Sequence, residues 1–268
     1  MSNTDSSLPK DLLRLCEQQQ PQIFLVLGSG YGSMAEKFQD RQSWPFSQLP
    51  EISAATVPGH KGCLTHARFR NKTLLISEGR IHSYEGYPKQ VVTATTRIAH
   101  SLGCQTGIFT NAAGGISPNL SPGSIMLIKN HIDTISKPWN NDKDTPGFLP
   151  PIDSPYDPAL LDKLKNISKS QNLSATTGTY LMVSGPCYES TSEIRTFSSW
   201  NVDAVGMSTV WEVEAGFQLG MKCAGISGIT NKAAGLSTQP PSHQEVLENA
   251  QILTSSFEKL LFNYLENM

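Results

Sequence analysis

Apolar residues fall in short runs along this chain, separated by polar and glycine-rich stretches, with no internal repeat. Leu8 to Gln19 carries Leu12, Leu13, Leu15 and Cys16 at helical spacing. Ile23 to Leu27 is a continuous apolar run, too short for a helix and followed by glycine, and it predicts a buried strand. Met34 to Phe38 predicts the start of a helix. Leu64 to Arg70 and Lys72 to Ser77 flank Asn71 and predict a hairpin. Val91 to Leu102 is helical in pattern, Gly107 to Thr110 a short strand, and Ile125 to Ile128 another. Leu160 to Gln171 predicts a helix and Thr179 to Val183 a strand. His243 to Glu266 predicts a long terminal helix, with Val246, Ala250, Leu253, Phe257, Leu260 and Leu261 on one broad face.

Between the last two of these lies the most informative stretch, Gly185 to Lys232. It opens on a turn carrying an acid, Gly185-Pro186-Cys187-Tyr188-Glu189. A short apolar strand then ends in Gly206-Met207-Ser208, a helix-like run follows, and a second apolar strand ends in Thr230-Asn231-Lys232. Strands alternate with helices throughout. The expected class is α/β, a single domain (1–268) with a mixed central β-sheet flanked by helices. Residues 1–20 are expected to form an N-terminal helical extension. The Pro-, Asn-, Asp- and Gly-rich residues 136–157 are expected to form a long loop.

Composition narrows the function more than the fold. The formal net charge of -2 in 268 residues gives no reason to expect a nucleic-acid or acidic-membrane partner. No apolar run approaches the ~20 residues of a membrane span, and the first residues lack a secretory layout. The five cysteines are scattered, with no CxxC pair, which points to reduced thiols and a cytoplasmic protein without a disulfide frame or zinc site. Cys187, inside the acid-bearing turn, is expected to pack as a small residue.

Candidate chemistry collects at predicted strand ends, where ligands bind in open α/β sheets. After Ile23–Leu27 comes Gly28-Ser29-Gly30-Tyr31-Gly32, a strand–glycine–helix layout that can hold an anion on backbone N–H groups and a helix dipole. A plain tight turn accounts for the same residues. The spacing fits neither a dinucleotide fingerprint nor a nucleotide-triphosphate loop. In Gly79-Arg80-Ile81-His82-Ser83-Tyr84-Glu85-Gly86, Arg80 and His82 project the same way if the backbone is extended, which suits an anion. Asn111-Ala112-Ala113-Gly114-Gly115 would let a ligand approach the backbone. Glu189 can accept two hydrogen bonds, and Asn231 both donates and accepts. With the aromatic face of Tyr188 and the apolar side of Met207, they suit a flat heterocycle. Met207 could equally be plain core.

Taken together, these motifs resemble the trimeric purine nucleoside phosphorylases. The matching segments run from Leu27-Gly28-Ser29-Gly30 to His243-Gln244-Glu245-Val246. Between them lie Val57-Pro58-Gly59-His60, Gly79-Arg80 with His82, Tyr84-Glu85-Gly86, and Thr110-Asn111-Ala112-Ala113-Gly114-Gly115. Gly185-Pro186 with Glu189, Val205-Gly206-Met207-Ser208-Thr209-Val210 and Ile229-Thr230-Asn231-Lys232 complete the series. The resemblance implies phosphorolysis of 6-oxopurine (2'-deoxy)ribonucleosides, such as inosine and guanosine, in purine salvage. It also implies a homotrimer, no cofactor, no metal, and inorganic phosphate as co-substrate. Phosphate would be held by Ser29, Arg80, His82, Asn111, Ala112 and Ser208. Tyr84 and Met207 would line the sugar, Ala113, Tyr188, Glu189 and Asn231 would surround the base, and His243 would reach the 5'-hydroxyl. His60 and Glu85 would order the Arg80–His82 loop. His82, Glu189 and Asn231 would be the catalytic set.

The chain departs from the family pattern at three places. Trp211 stands where proline is expected, as a bulky indole beside the sugar and phosphate site. Asn130-His131-Ile132-Asp133 replaces the usual Asp-His-Ile-Asn order. Residues 138–151 give no clear match for the aromatic a neighbouring subunit lends, with Phe148 or Leu149 nearest. A methylthioadenosine-type phosphorylase would carry aspartate where Asn231 stands. A nucleoside-binding protein with impaired turnover, Trp211 being the lesion, is the alternative from another class.

Overall fold

The computed structural model describes residues 7–52, 61–135, 154–237 and 243–268. Helix α1 (Lys10–Gln18) leads into strand β1 (Ile23–Leu27), followed by a 3₁₀ turn at Gly32–Lys37. Strands β2 (Gln39–Pro45), β3 (Cys63–Phe69) and β4 (Lys72–Glu78) come next, then α2 (Lys89–Val92), α3 (Ala94–Ser101), β5 (Thr106–Gly115) and β6 (Ile125–Asp133). The second half runs α4 (Pro158–Ser170), β7 (Ala175–Met182), α5 (Thr191–Ser199), β8 (Ala204–Gly206), α6 (Val210–Gln218), β9 (Lys222–Lys232) and α7 (His243–Glu266).

The nine strands of the described residues join one mixed sheet, ordered β2-β3-β4-β1-β5-β8-β7-β6-β9, with β5 also paired to β9. That extra pairing closes part of the sheet on itself. β5 runs parallel to β9, β9 antiparallel to β6, β6 parallel to β7, β7 parallel to β8, and β8 returns antiparallel to β5. The remaining strands fan out as an open sheet from β1, which is parallel to both β4 and β5. Strands β1, β4, β5 and β9 therefore point the same way, and their carboxyl ends share one rim.

Both faces of β1 are covered, which is why its sequence is apolar without alternation. Phe24 and Val26 pack in one core with Leu12 and Cys16 of α1, Ile98 of α3 and Val213 of α6. Ile23, Leu25 and Leu27 face the other core, with Leu164 of α4 and Leu253, Phe257 and Leu261 of α7. Helices thus cover both sides of the sheet, as the alternation of elements predicts.

Three elements differ from the sequence reading. The run after the glycine loop is 3₁₀ rather than α-helical and only six residues long, so little helix dipole is directed at an anion near Ser29. The strand expected at Gly107 to Thr110 does not stop there: Asn111 to Gly115 form the second half of β5, paired in parallel with β9. β6 likewise continues through Asn130 to Asp133 against β7.

Candidate active site

The pocket opens at the shared rim. Ser29 follows β1, Arg80 and His82 follow β4, Asn111 to Gly114 belong to β5, and Thr230 and Asn231 close β9; all of them line it. Tyr84, Tyr188, Glu189, Met207 and Ser208 complete the wall with Val205, Gly206 and Val246. The structure therefore brings together every proposed site residue except two. His60 lies outside the described residues. His243 opens α7, but its side chain lies outside what is described. Gly114, Val205, Gly206, Thr230 and Val246 also line the pocket; all five lie inside the family-like segments, but none of them carries an assigned substrate contact there.

Arg80 is buried at 2% exposure and is fixed from two sides. Its Nε donates to Glu212 Oε2 at 2.9 Å and its Nη1 to the Thr110 carbonyl at 2.8 Å. Glu212 sits in the first turn of α6, and the same oxygen accepts from the Thr209 backbone N–H at 3.2 Å. Thr209 caps this helix with φ 80°, a conformation unfavourable for a residue with a side chain. Asn111 Nδ2 donates to Thr209 Oγ1 at 2.9 Å, joining β5 to the cap. Gly28 lets these parts converge. A Cβ there would lie 2.6 Å from the Thr110 oxygen and 2.8 Å from Arg80 Nη1.

His82 stacks on Tyr84 with ring centroids 4.8 Å apart. Burial lowers its pKa, partly opposed by Glu85, whose Oε1 lies 3.5 Å from Nδ1 and accepts from the His82 backbone N–H at 2.7 Å. The ring is thus biased to the neutral form. Burial pushes the Tyr84 hydroxyl up to about 12, so it stays a neutral hydrogen-bonding group. Gly185, at φ 73°, admits Met207 and Tyr84 together: a Cβ on it would sit 2.5 Å from the Met207 sulfur and 2.9 Å from Tyr84 Cδ1. Met207 is therefore a wall of the pocket beside Tyr84, not plain core.

On the far side, burial raises the pKa of Glu189, opposed in part by its own backbone N–H. Asn231 is buried at 4% exposure, with Nδ2 donating to the Lys232 carbonyl at 2.9 Å and Oδ1 accepting from Thr230 Oγ1 at 3.0 Å. Those bonds fix which end of the amide carries its second N–H. Cys187 is exposed, which corrects the packing role expected for it. Trp211 is not among the residues lining the pocket; from the first turn of α6 its indole donates to Asp133. His131 is engaged elsewhere as well, with Nδ1 3.0 Å from the Tyr156 hydroxyl and Nε2 3.4 Å from Glu214. Among the described residues no group of three or more His, Cys, Asp or Glu is placed to hold a metal ion, and no helix is long and apolar enough to cross a membrane.

An anion-type group (Ser29, Arg80, His82, Ser208) thus adjoins a heterocycle-type group (Tyr188, Glu189, Asn231) in one pocket. Comparison with known proteins gives the family. Residues 22–266 match the model of the Phosphorylase superfamily. The chain is 36% identical over 251 residues to purine nucleoside phosphorylase 1 of Geobacillus stearothermophilus, covering 92% of each chain. It is 37% identical over 246 residues to its namesake from Bacillus subtilis, with 91% of each covered. With the Bos taurus purine nucleoside phosphorylase it shares 34% identity over 254 residues, covering 91% of this chain and 88% of the bovine one. Among solved structures, Schistosoma mansoni purine nucleoside phosphorylase in complex with inosine superposes with a TM-score of 0.84 at 25% identity, covering 97% of this chain and 95% of that one. The same enzyme in complex with adenosine gives 0.82 at 25% identity, with 98% of each covered. With one family model spanning nearly the whole chain and close to full-length relatives above 30% identity, this chain belongs to the purine nucleoside phosphorylase family.

Proposed function

We propose that this chain catalyses phosphorolysis of 6-oxopurine nucleosides: inosine or guanosine and inorganic phosphate give the free base and (deoxy)ribose 1-phosphate. The observation that carries this is the adjacency of the two groups of residues in one pocket. Phosphate held by Ser29, Arg80, His82, Ser208 and the backbone at Ala112 lies below the sugar. C1' gains oxocarbenium character as the base departs; the phosphate oxygen stabilises that charge and then bonds to C1', while the C–N electron pair leaves with the purine. A neutral His82 holding its proton on Nδ1 toward Glu85 keeps Nε2 as an acceptor for a phosphate hydroxyl. The departing purine takes on negative charge at N7 and O6. Asn231, whose Oδ1 is engaged by Thr230, offers its second Nδ2 hydrogen there. Donors preorganised in this way contribute about 3 kcal/mol each to lowering a barrier. This reading needs no metal and no cofactor.

Base choice follows from the same atoms. A 6-oxopurine presents N1–H, and guanine adds a 2-amino group, both donors to the Glu189 carboxylate. Adenine presents an N1 acceptor to that carboxylate and a 6-amino donor to the Asn231 N–H. Leaving such groups unpaired discriminates by ~10⁴ or more. The Schistosoma relative has been solved with adenosine as well as inosine, so fold likeness alone does not decide the base; the argument rests on Glu189 and Asn231. Asn231 also speaks against a methylthioadenosine-type preference. The test is initial rates with inosine, guanosine and adenosine, with and without phosphate. Phosphate-dependent release of hypoxanthine and guanine, with adenosine far slower, is expected. Asn231→Asp should weaken inosine and raise relative adenosine turnover, because aspartate accepts from the 6-amino group. Adenosine cleaved as fast as inosine by the unmodified enzyme would refute the base assignment.

A further inference from the structure

Two positions at which the chain departs from the family pattern meet in space. Trp211 Nε1 donates to Asp133 Oδ2 at 3.0 Å, with both side chains buried. The other carboxylate oxygen, Oδ1, accepts from the Ile135 backbone N–H at 2.8 Å. Both oxygens of Asp133 therefore face donors, and only a carboxylate can satisfy the two at once; an asparagine would turn an NH₂ toward one N–H. Lys89 of α2 closes the arrangement, with Nζ 5.6 Å above the indole and bonded to Glu214 Oε2 at 2.9 Å.

The position of this contact gives it a consequence. Trp211 is the second residue of α6, and Glu212, the next, orients Arg80. The cap of the same turn is Thr209, in its unfavourable φ 80° conformation, next to Ser208 of the pocket wall. The turn is held toward the pocket by Glu212 and toward β6 by Trp211. If the outer tie is released, the cap, Ser208 and the Glu212–Arg80 pair can move together, while Glu189 and Asn231, which belong to other elements, stay in place.

We propose that Trp211 and Asp133 form a positioning pair that seats the first turn of α6, so that their hydrogen bond governs affinity for the anionic co-substrate and leaves base recognition untouched. This deepens the phosphorolysis reading and rests on it. The test uses the full chain, with Trp211→Phe to remove the N–H while keeping an aromatic ring, Asp133→Asn, and the double variant. Three quantities are measured: KM for phosphate at saturating inosine, KM for inosine at saturating phosphate, and the rise in Tm caused by inorganic phosphate alone. Each single variant should raise the phosphate KM about three- to tenfold, the net worth of one typical hydrogen bond, with the inosine KM within about twofold. The double variant should be no worse than the poorer single one, because the two share one interaction.

A purely structural role would lower Tm without moving the phosphate KM, and that result overturns the proposal. So do additive effects, or equal changes in both KM values. If the unmodified enzyme is stabilised by phosphate but turns over no nucleoside, the phosphorolysis reading fails and the phosphate-induced Tm shift still decides the pair. If phosphate neither stabilises it nor supports turnover, both are refuted.

Discussion

At the scale of single residues, the site combines one group made neutral with one made reluctant to ionise. His82 is biased to neutrality by burial. Glu189 has its carboxyl raised by burial, yet its proposed role requires the ionised form. An acid with a raised pKa takes up its proton at a higher pH than an ordinary glutamate, so the acceptors for N1–H are lost early as pH falls. The kcat/KM for guanosine at saturating phosphate should therefore drop on the acid side with a midpoint above the usual ~4.3 of glutamate. Glu189→Gln should flatten that limb while lowering the plateau, since an amide offers one acceptor in place of two. Stability runs the other way: the contribution of Glu189 is present below its unfolded pKa and lost as pH rises through the folded one. An acid limb that survives unchanged in Glu189→Gln would assign the titration to another group. Arg80 and Glu212 pair across two elements. Arg80 was legible as a charge in a glycine-bounded loop, but its partner lies 132 residues away on another element, and no local pattern shows that pairing.

Among the elements, legibility followed how strongly burial marks the sequence. β1 and α7 are legible at their observed limits because burial is continuous on the strand and one-sided on the helix. β2 leaves no such mark because it is an edge strand exposed along most of its length, with only Trp44 buried. α5 is marked only by its cap: Ser190 and Glu193 spell a capping box at its start, and both of its bonds form. β5 was cut short because glycine and alanine read as loop residues, whereas here they let the strand run between β9 and β8. Gly28 and Gly32 make the same distinction testable in one segment. An added methyl at Gly28 meets the Thr110 carbonyl and the Arg80 guanidinium, and at Gly32 it meets nothing within 4 Å. Gly28→Ala should cost about 1–3 kcal/mol in urea unfolding and raise the phosphate KM. Gly32→Ala should be neutral or stabilising by up to ~1 kcal/mol through the unfolded chain. Equal effects of the two would show that the close approach at Gly28 is not what positions Arg80.

For the molecule as a whole, the α/β class and the mixed sheet were readable, but closure of part of the sheet through β5 and β9 was not. That closure rests on parallel pairing between strands more than a hundred residues apart, whose register is fixed by the assembled core rather than by any local pattern. Tyr188 lines the pocket yet is 40% exposed, and it lies beside Glu189. Water reaching that wall competes for the carboxylate's hydrogen bonds and weakens the discrimination proposed for it. A second copy laid over this side would exclude that water. The family likeness makes a homotrimer the expected arrangement, with the lending segment sought at Phe148 or Leu149, which lie outside the described residues. Light scattering should give a mass three times that of the 29.2 kDa chain. Dilution into the dissociating range should lower specific activity in step with the loss of trimer, the inosine KM rising before the phosphate KM because the uncovered side is the base side. A monomer of full activity at working concentration would overturn this expectation and leave Tyr188 to cover the base alone.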